Sequence, residues 1–403
     1  MILSRLKSLL GDVFSIKRLS LIGAAIVSSK LVLILIAYFF NETEYNTFNK
    51  YYYTASILIL FGSFGFNFAI TRVKVKPFIL FGSVIFNLVI VLTVYKLLTD
   101  SVIDFVDIIS LFVYSLFSSV GSILVFKSLF DGNYGSYFIL TLTHSLLHIS
   151  IIPFVKYFNF DLTILFPVLS FIWILIILGM LLPLKENNSR NIEQFYKLGF
   201  SAFVINSTAG LAFALDKYFI NHFYQIDIAN SYTFAWSLVA PIFYIVVLIE
   251  KNIYSIKNGE AKRIIKKSVV WLTTAIVSYA LVFTILILYF PKLLPGSVDP
   301  SLLKNMFLFM IIGYGIYAIF HFPINGYLFK YAADINQKLI SVGYVVVTVI
   351  FGLLTYFVLA QWLKLNYQNL ILTVMAYIFS LLIIKTAVLY KKQIQPLINT
   401  DNI

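Results

Sequence analysis

The residues of this chain that could bind a charged molecule stand inside long apolar stretches. Lys30 lies midway along the apolar stretch 19–40, about ten residues, or about 15 Å of helix, from either end. A charged residue at the centre of a membrane-spanning helix costs about 2.5–3.5 kcal/mol. We therefore expect Lys30 to face water, a carboxylate or an anionic ligand, with Ser28 and Ser29 beside it. A structural ion pair inside a helix bundle is the alternative.

Two polar residues of a second apolar stretch, 198–220, are candidates for the same binding site. Asp216 could be the counter-charge of Lys30 or a site for a coupling ion, and Asn206 could line the same cavity. The alternative for Asp216 is a hydrated position near the membrane surface, beside Lys217.

His144 and His148 are four residues apart and therefore share one face of a helix. A zinc site needs further ligands, and the chain offers no cysteine and no acidic residue nearby in sequence. We therefore expect no metal. The two histidines either hydrogen-bond inside the bundle or form a proton-coupling pair.

The composition shows which elements must position these residues. The chain has 403 residues, of which 61% are hydrophobic and only 12% are charged, and its mean hydropathy is +0.93. A soluble chain has about 25% charged residues. This composition excludes a soluble enzyme, a disordered scaffold and a nucleic-acid-binding domain, and it predicts an all-α integral membrane protein.

Twelve stretches are long and apolar enough to span a bilayer, and they must be helices because backbone polar groups in hydrocarbon pair internally. These spans are 19–40, 47–70, 77–98, 106–127, 135–156, 161–183, 198–220, 228–250, 269–291, 305–329, 338–361 and 366–390.

The charges predict the orientation of these spans. The segments on one side carry about three times as many Lys and Arg residues as those on the other, so that side and both termini are expected in the cytoplasm. Residues 1–18 are predicted to form an interfacial helix. The basic segment 251–267 either contacts anionic lipid head groups or only anchors the topology.

A weak internal repeat divides the chain. Asn46 and Asn230 follow the first and seventh spans in similar polar passages, 184 residues apart. We predict a 6+6 duplication with an N-terminal lobe at 1–184, a cytoplasmic linker at 185–197 and a C-terminal lobe at 198–403.

Three passages carry a resemblance to a known family. They are FNETEYNTF at 40–48, GSFGFNFAITR at 62–72, and the passage from Asp216 to Tyr232. They resemble bacterial polysaccharide flippases of the O-antigen or Wzx type, which belong to the multidrug/oligosaccharidyl-lipid/polysaccharide exporter superfamily. Asn46 stands where that family usually has Gly. Gly65, Ala69 and Arg72 fit the pattern that closes the family's second span if its spacing slips by a residue.

This resemblance implies a flippase of the bacterial cytoplasmic membrane. Its substrate would be an undecaprenyl-diphosphate-linked oligosaccharide for O-antigen, capsule or exopolysaccharide assembly, moved by alternating access between the two lobes. We expect no cofactor and no nucleic acid, a monomer, and contacts with anionic lipids and other polysaccharide-assembly proteins.

Two other functions compete with the flippase. A small-solute or drug exporter of the same superfamily would often bind cations, which a central lysine repels. A polysaccharide polymerase or ligase would need a large outer loop with clustered Arg, and the predicted outer loops carry none. The chain also lacks a G-x-x-x-x-G-K-[ST] loop. We therefore predict a transporter driven by an ion gradient, the membrane potential or the substrate gradient, and no enzyme.

Overall fold

The computed structural model describes residues 33–99, 105–131, 133–158, 162–181, 192–242, 258–331 and 367–389. Every regular element within these ranges is a helix, and residues 33–39 are helical at the start of the described chain. The helices are α1 (Glu42–Ser63), α2 (Phe66–Arg72), α3 (Pro77–Thr99), α4 (Phe105–Phe130), α5 (Tyr134–Tyr157), α6 (Leu162–Leu181), α7 (Ile192–Phe223), α8 (Ile226–Val239), α9 (Asn258–Tyr289), a 3₁₀ helix (Pro291–Leu293), α10 (Pro300–Tyr331) and α11 (Tyr367–Leu389).

Each of the helices α3 to α11 overlaps one predicted span, and α1 and α2 share the second one. Six candidate spans among the described residues are long and apolar enough to cross a membrane, the first of them running through both α1 and α2. The chain is therefore a multi-pass membrane protein. The predicted span 338–361 lies outside the described residues, so the count of twelve stays a prediction.

Helix α1 begins at Glu42, five residues before the predicted start of its span. The Asn41 side chain accepts a hydrogen bond from the Glu44 N–H at 2.9 Å, and the Glu44 carboxylate accepts one from the Asn41 N–H at 2.8 Å. This reciprocal capping box satisfies two amides that the helix itself leaves unpaired. The polar turn before the apolar stretch is therefore helical, which hydropathy alone does not reveal.

The second predicted span is interrupted between α1 and α2. Phe64 and Gly65 both have positive φ, 41° and 70°. The two residues end α1 in the left-handed conformation and restart the chain as α2. Position 65 also has no room for a side chain, because an added Cβ would lie 2.2 Å from the Gly199 carbonyl oxygen of α7.

The chain divides into two compact units, Ala24–Asn230 and Met1–Gly23 with Ser231–Ile403. In the first unit α4 is central and packs against α1, α2, α3, α5 and α6, while α1 and α2 also pack against α7. Stacked rings join α2 to α7, since Phe66 lies 4.6 Å from Phe195 between ring centroids. The predicted lobes and the linker at 185–197 stay a prediction.

In the second unit α10 packs against α9 and α11. Two glycines of α10 allow this approach, because a Cβ at Gly313 would overlap the Met375 side chain of α11 and one at Gly315 would lie 3.0 Å from Ile276 of α9. Asp299 begins α10 by accepting hydrogen bonds from the Ser301 and Leu302 amides. Its bond from the Ser301 hydroxyl, with those from the amides, lowers the pKa of this carboxyl.

The close contact at Gly65 can be tested by substitution. Gly65→Ala would place a methyl group against the α7 backbone and hold a non-glycine residue at positive φ, so we expect a loss of at least about 2 kcal/mol in the free energy of unfolding. The control is Gly82→Ala in α3, where an added Cβ meets nothing within 4 Å and a gain of about 0.5–1 kcal/mol is expected. Thermal unfolding of the purified protein in detergent measures both. Equal melting temperatures for Gly65→Ala and the wild type would contradict the close approach of α2 and α7.

Candidate functional site

Several residues singled out in the sequence lie beyond what the structure describes. Lys30, Ser28 and Ser29 fall before residue 33, where the description begins. Asn206 lies in the middle of α7, but its side chain is outside the described set. The roles of these four residues in substrate binding therefore stay predictions, as does the pairing of Lys30 with Asp216.

Asp216 lies inside the first unit and is paired with its neighbour. Its side chain and that of Lys217 are both 0% exposed. The Lys217 Nζ lies 2.8 Å from Asp216 Oδ1 and 2.9 Å from Oδ2. The interpretation that the two residues lie hydrated at the surface is therefore wrong, since neither has any exposed area.

Lys217 is the functional candidate that the sequence analysis missed. The sequence suggests a position near the membrane surface for Lys217, because the apolar stretch ends three residues later, at residue 220. Helix α7 instead continues to Phe223, which places Lys217 about 9 Å of helix before its end. The adjacent acidic residue was the available signal, because a buried lysine needs a counter-charge.

More polar groups surround the ion pair on the last turns of α7. The Tyr218 hydroxyl lies 3.3 Å from the Tyr95 hydroxyl of α3. The His222 Nδ1 lies 2.7 Å from the Tyr218 carbonyl oxygen, and the two rings stack with centroids 4.1 Å apart. We call this set the α7 polar cluster: Asp216, Lys217, Tyr218, Asn221 and His222, with Tyr95 of α3.

Helix α1 presents a polar sector of its own. Phe48 and Tyr51 face α6 and α4, because Phe48 stacks on Phe166 and the Tyr51 hydroxyl donates to Asp107 at 2.6 Å. Asn46 and Asn49 lie on the far side of the helix from these contacts. Both asparagines are buried, 5% and 2% exposed.

Lys50 continues this polar sector of α1 toward α7. It lies on the same side of the helix as Asn46 and close enough to His222 to interact with it electrostatically. Since α1 and α7 pack together, the sector and the α7 polar cluster form one polar region inside an apolar unit.

The two asparagines of the predicted internal repeat lie in this unit. Asn230, on the second turn of α8, donates from its Nδ2 to the Glu42 carbonyl oxygen at 2.9 Å. The Oδ1 atoms of Asn46 and Asn230 are buried and meet no hydrogen-bond donor among the described residues. Buried acceptors of this kind are usually satisfied by water or a ligand.

Of the two histidines of α5, the structure describes the side chain of His144. His144 is half-buried, with its ring 4.1 Å from the Trp173 ring of α6. The Thr141 and Ser145 hydroxyls donate to the carbonyl oxygens one turn earlier. The His148 side chain lies outside the description, so the proton-coupling pair stays a prediction. No group of three metal-binding side chains occurs among the described residues.

The α7 polar cluster contains several groups that can carry or accept a charge. The α7 polar cluster combines a cation, a carboxylate, a histidine and two phenols in an interior where electrostatic interactions are much stronger than in water. A further anion, cation or proton brought to these groups would change the balance of the Asp216–Lys217 pair.

Comparison with known proteins identifies the fold. No family model matches the chain, and no curated protein matches it. A crystal structure of the eukaryotic MATE transporter AtDTX14 matches with a TM-score of 0.52 and 14% sequence identity, covering 93% of this chain and 95% of that one. The chain therefore has the fold of a MATE transporter, and at this identity the match establishes the fold alone.

The energetic role of the buried pair is measurable. Asp216→Asn or Lys217→Gln alone leaves an uncompensated buried charge, so we expect each to lower the free energy of unfolding by about 3–5 kcal/mol. The double variant removes both charges and should lose less than the two single variants together.

The matched control for this experiment is the exposed pair at the other end of the same helix. Glu193 and Lys197 are 78% and 69% exposed, so Lys197→Gln should leave the melting temperature in detergent unchanged. Additive losses in the double variant would contradict a pairing of Asp216 with Lys217.

Proposed function

We propose that this chain is a flippase that moves an undecaprenyl-diphosphate-linked oligosaccharide across the bacterial cytoplasmic membrane by alternating access. The fold is shared over 93% of the chain with a MATE transporter. This likeness supports transport as the general activity. The motifs around Asn46 and Gly65 resemble those of polysaccharide flippases, and this resemblance is the reason for proposing a lipid-linked oligosaccharide as the substrate.

The chemistry of the polar region supports this substrate. A diphosphate linker is anionic and is bound by lysine ammonium groups, and we propose that Lys30 and Lys217 supply them. The oligosaccharide carries many hydroxyl donors, and the buried Oδ1 atoms of Asn46 and Asn230 are acceptors. Ser28, Ser29 and Asn206 add polar groups to the proposed path, and Asp216 with the α5 histidines is proposed to couple transport to an ion.

The membrane context of the proposal follows from the charges. Both termini lie in the cytoplasm, and the basic segment 251–267 contacts anionic lipid head groups. The flippase acts as a monomer beside other polysaccharide-assembly proteins. A drug exporter of the same fold is the competing function, and the cationic side chains proposed for the path oppose it.

Genetic complementation tests the proposal. The chain is expressed in a bacterial strain that lacks its own polysaccharide flippase, and surface polysaccharide is measured. We expect the wild type to restore surface polysaccharide and Lys30→Ala to reduce it at least about tenfold, because an unbalanced anion at mid-membrane costs more than 1.4 kcal/mol. Lys30→Arg keeps the charge and should retain part of the activity.

The control variant is Lys292→Ala, since Lys292 is an exposed residue of the 3₁₀ helix far along the chain from the polar region. It should match the wild type. If several acceptor strains recover no surface polysaccharide although the protein reaches the membrane, the proposed substrate class is wrong. Wild-type activity of Lys30→Ala would remove Lys30 from the path and leave the transporter fold in place.

A further inference from the structure

The connection between α2 and α3 carries three positive charges where two candidate spans meet the membrane surface. Arg72 ends α2, and Lys74 and Lys76 follow it before α3 begins at Pro77. Arg72 and Lys74 are exposed, and Lys76 is half-buried. The Arg72 guanidinium lies over the Phe68 ring, 4.5 Å from its centroid, so the ring holds this charge against the end of α2.

The two lysines of this connection have no acidic counterpart close by. Residues 73–76 contain no Asp or Glu, and neither Lys74 nor Lys76 forms an ion pair with a carboxylate that the structure describes. Helix α3 adds to the positive potential, because its first N–H groups and the positive end of its dipole lie at the same place. The connection therefore attracts anions of the adjoining head-group layer.

An apolar gap follows these charges on the outer surface of α3. Phe78 and Phe86 are 69% and 61% exposed, and Gly82 lies between them on the same side of the helix. A Cβ added to Gly82 would meet nothing within 4 Å. The two rings therefore flank a shallow gap at the α3 backbone. Gly82 lies about 8 Å and Phe86 about 14 Å along the helix from Pro77, which is within the hydrocarbon of one leaflet.

We propose that this surface binds one anionic phospholipid, with its phosphate on Lys74 and Lys76 and an acyl chain in the gap at Gly82. We call the five residues Lys74, Lys76, Phe78, Gly82 and Phe86 the α3 lipid site. Lysine ammonium groups donate hydrogen bonds to phosphate oxygens. A net negative charge on the head group is needed, because a zwitterionic head group brings its own cation to the same place. The inference does not depend on what the protein transports.

The lipid belongs to the leaflet that the charges predict on the cytoplasmic side. Charges beside a span also orient it during insertion, and that role needs no bound lipid. The two roles differ in the mature protein, because a topology anchor attracts anionic lipids only diffusely, whereas a binding site enriches one class of lipid at one place. The experiment therefore measures which lipid contacts α3.

Quenching of a tryptophan on α3 by brominated lipids measures this contact. Phe86→Trp keeps an aromatic ring at an exposed position, and the wild type in the same bilayers gives the signal of the four native tryptophans. The bilayers contain phosphatidylcholine with dibrominated phosphatidylglycerol or dibrominated phosphatidylcholine at equal mole fractions. We expect phosphatidylglycerol to bind beside position 86 at least about tenfold more tightly than phosphatidylcholine, because two lysines contact its head group.

Further substitutions in the Phe86→Trp protein separate the parts of the site. Lys74→Gln together with Lys76→Gln should abolish the preference for phosphatidylglycerol. Gly82→Leu fills the gap, so a displaced lipid can no longer keep its phosphate on both lysines, and the preference should fall about fivefold, the loss expected for one lysine contact. The matched control is Lys96→Gln, at the exposed lysine near the other end of α3, which should keep the full preference.

Four results would overturn the α3 lipid site. They are equal quenching by the two brominated lipids, a preference that survives the double lysine substitution, a preference that Gly82→Leu leaves unchanged, and displacement of the brominated phosphatidylglycerol by an equal amount of farnesyl-diphospho-N-acetylglucosamine. The third result would mean that diffuse attraction to the basic connection is sufficient. The fourth would assign the surface to the transported lipid, whereas the first three leave the proposed function untouched.

Discussion

The requirement that every charge inside an apolar helix bundle be balanced governs this structure. Asp216 and Lys217 have no exposed area, so neither could be held there without an opposite charge at hydrogen-bond distance. The same requirement acts on the backbone, which pairs internally by forming helices throughout the described residues. A charged pair in such an interior is costly to keep, and its complete burial in the first unit therefore makes these two residues candidates for a functional role.

The break between α1 and α2 determines where that pair lies relative to α1. Gly65 lets the α2 end of the span approach the α7 backbone, and Phe66 stacks on Phe195 at the start of α7. With one end of α7 held there, the other end runs along α1 and brings Lys217 and His222 toward the side that carries Asn46 and Lys50. The Asn230–Glu42 hydrogen bond then connects the following helix to the start of α1.

The helices were largely predictable from the sequence, and the site was not. An apolar stretch of about 20 residues indicates a spanning helix. The described helices α3 to α11 each overlap one predicted span. Helix ends were missed where local hydrogen bonds decide them, as at the Asn41–Glu44 capping box. The break at Phe64–Gly65 was missed because both residues are apolar. The burial of Lys217 could not be predicted because the residue stands three positions before the predicted end of its span at 220, where a lysine ordinarily reaches water, and hydropathy does not detect that neighbouring charges cancel.

The fold itself does not determine what is transported, because a pattern of apolar helices can persist at 14% sequence identity while a few buried polar residues change. The charge of the polar region is more informative. If Lys30 lines it, as the sequence predicts, then the three lysines Lys30, Lys50 and Lys217 outnumber the one carboxylate, Asp216. That balance favours an anion over a cation.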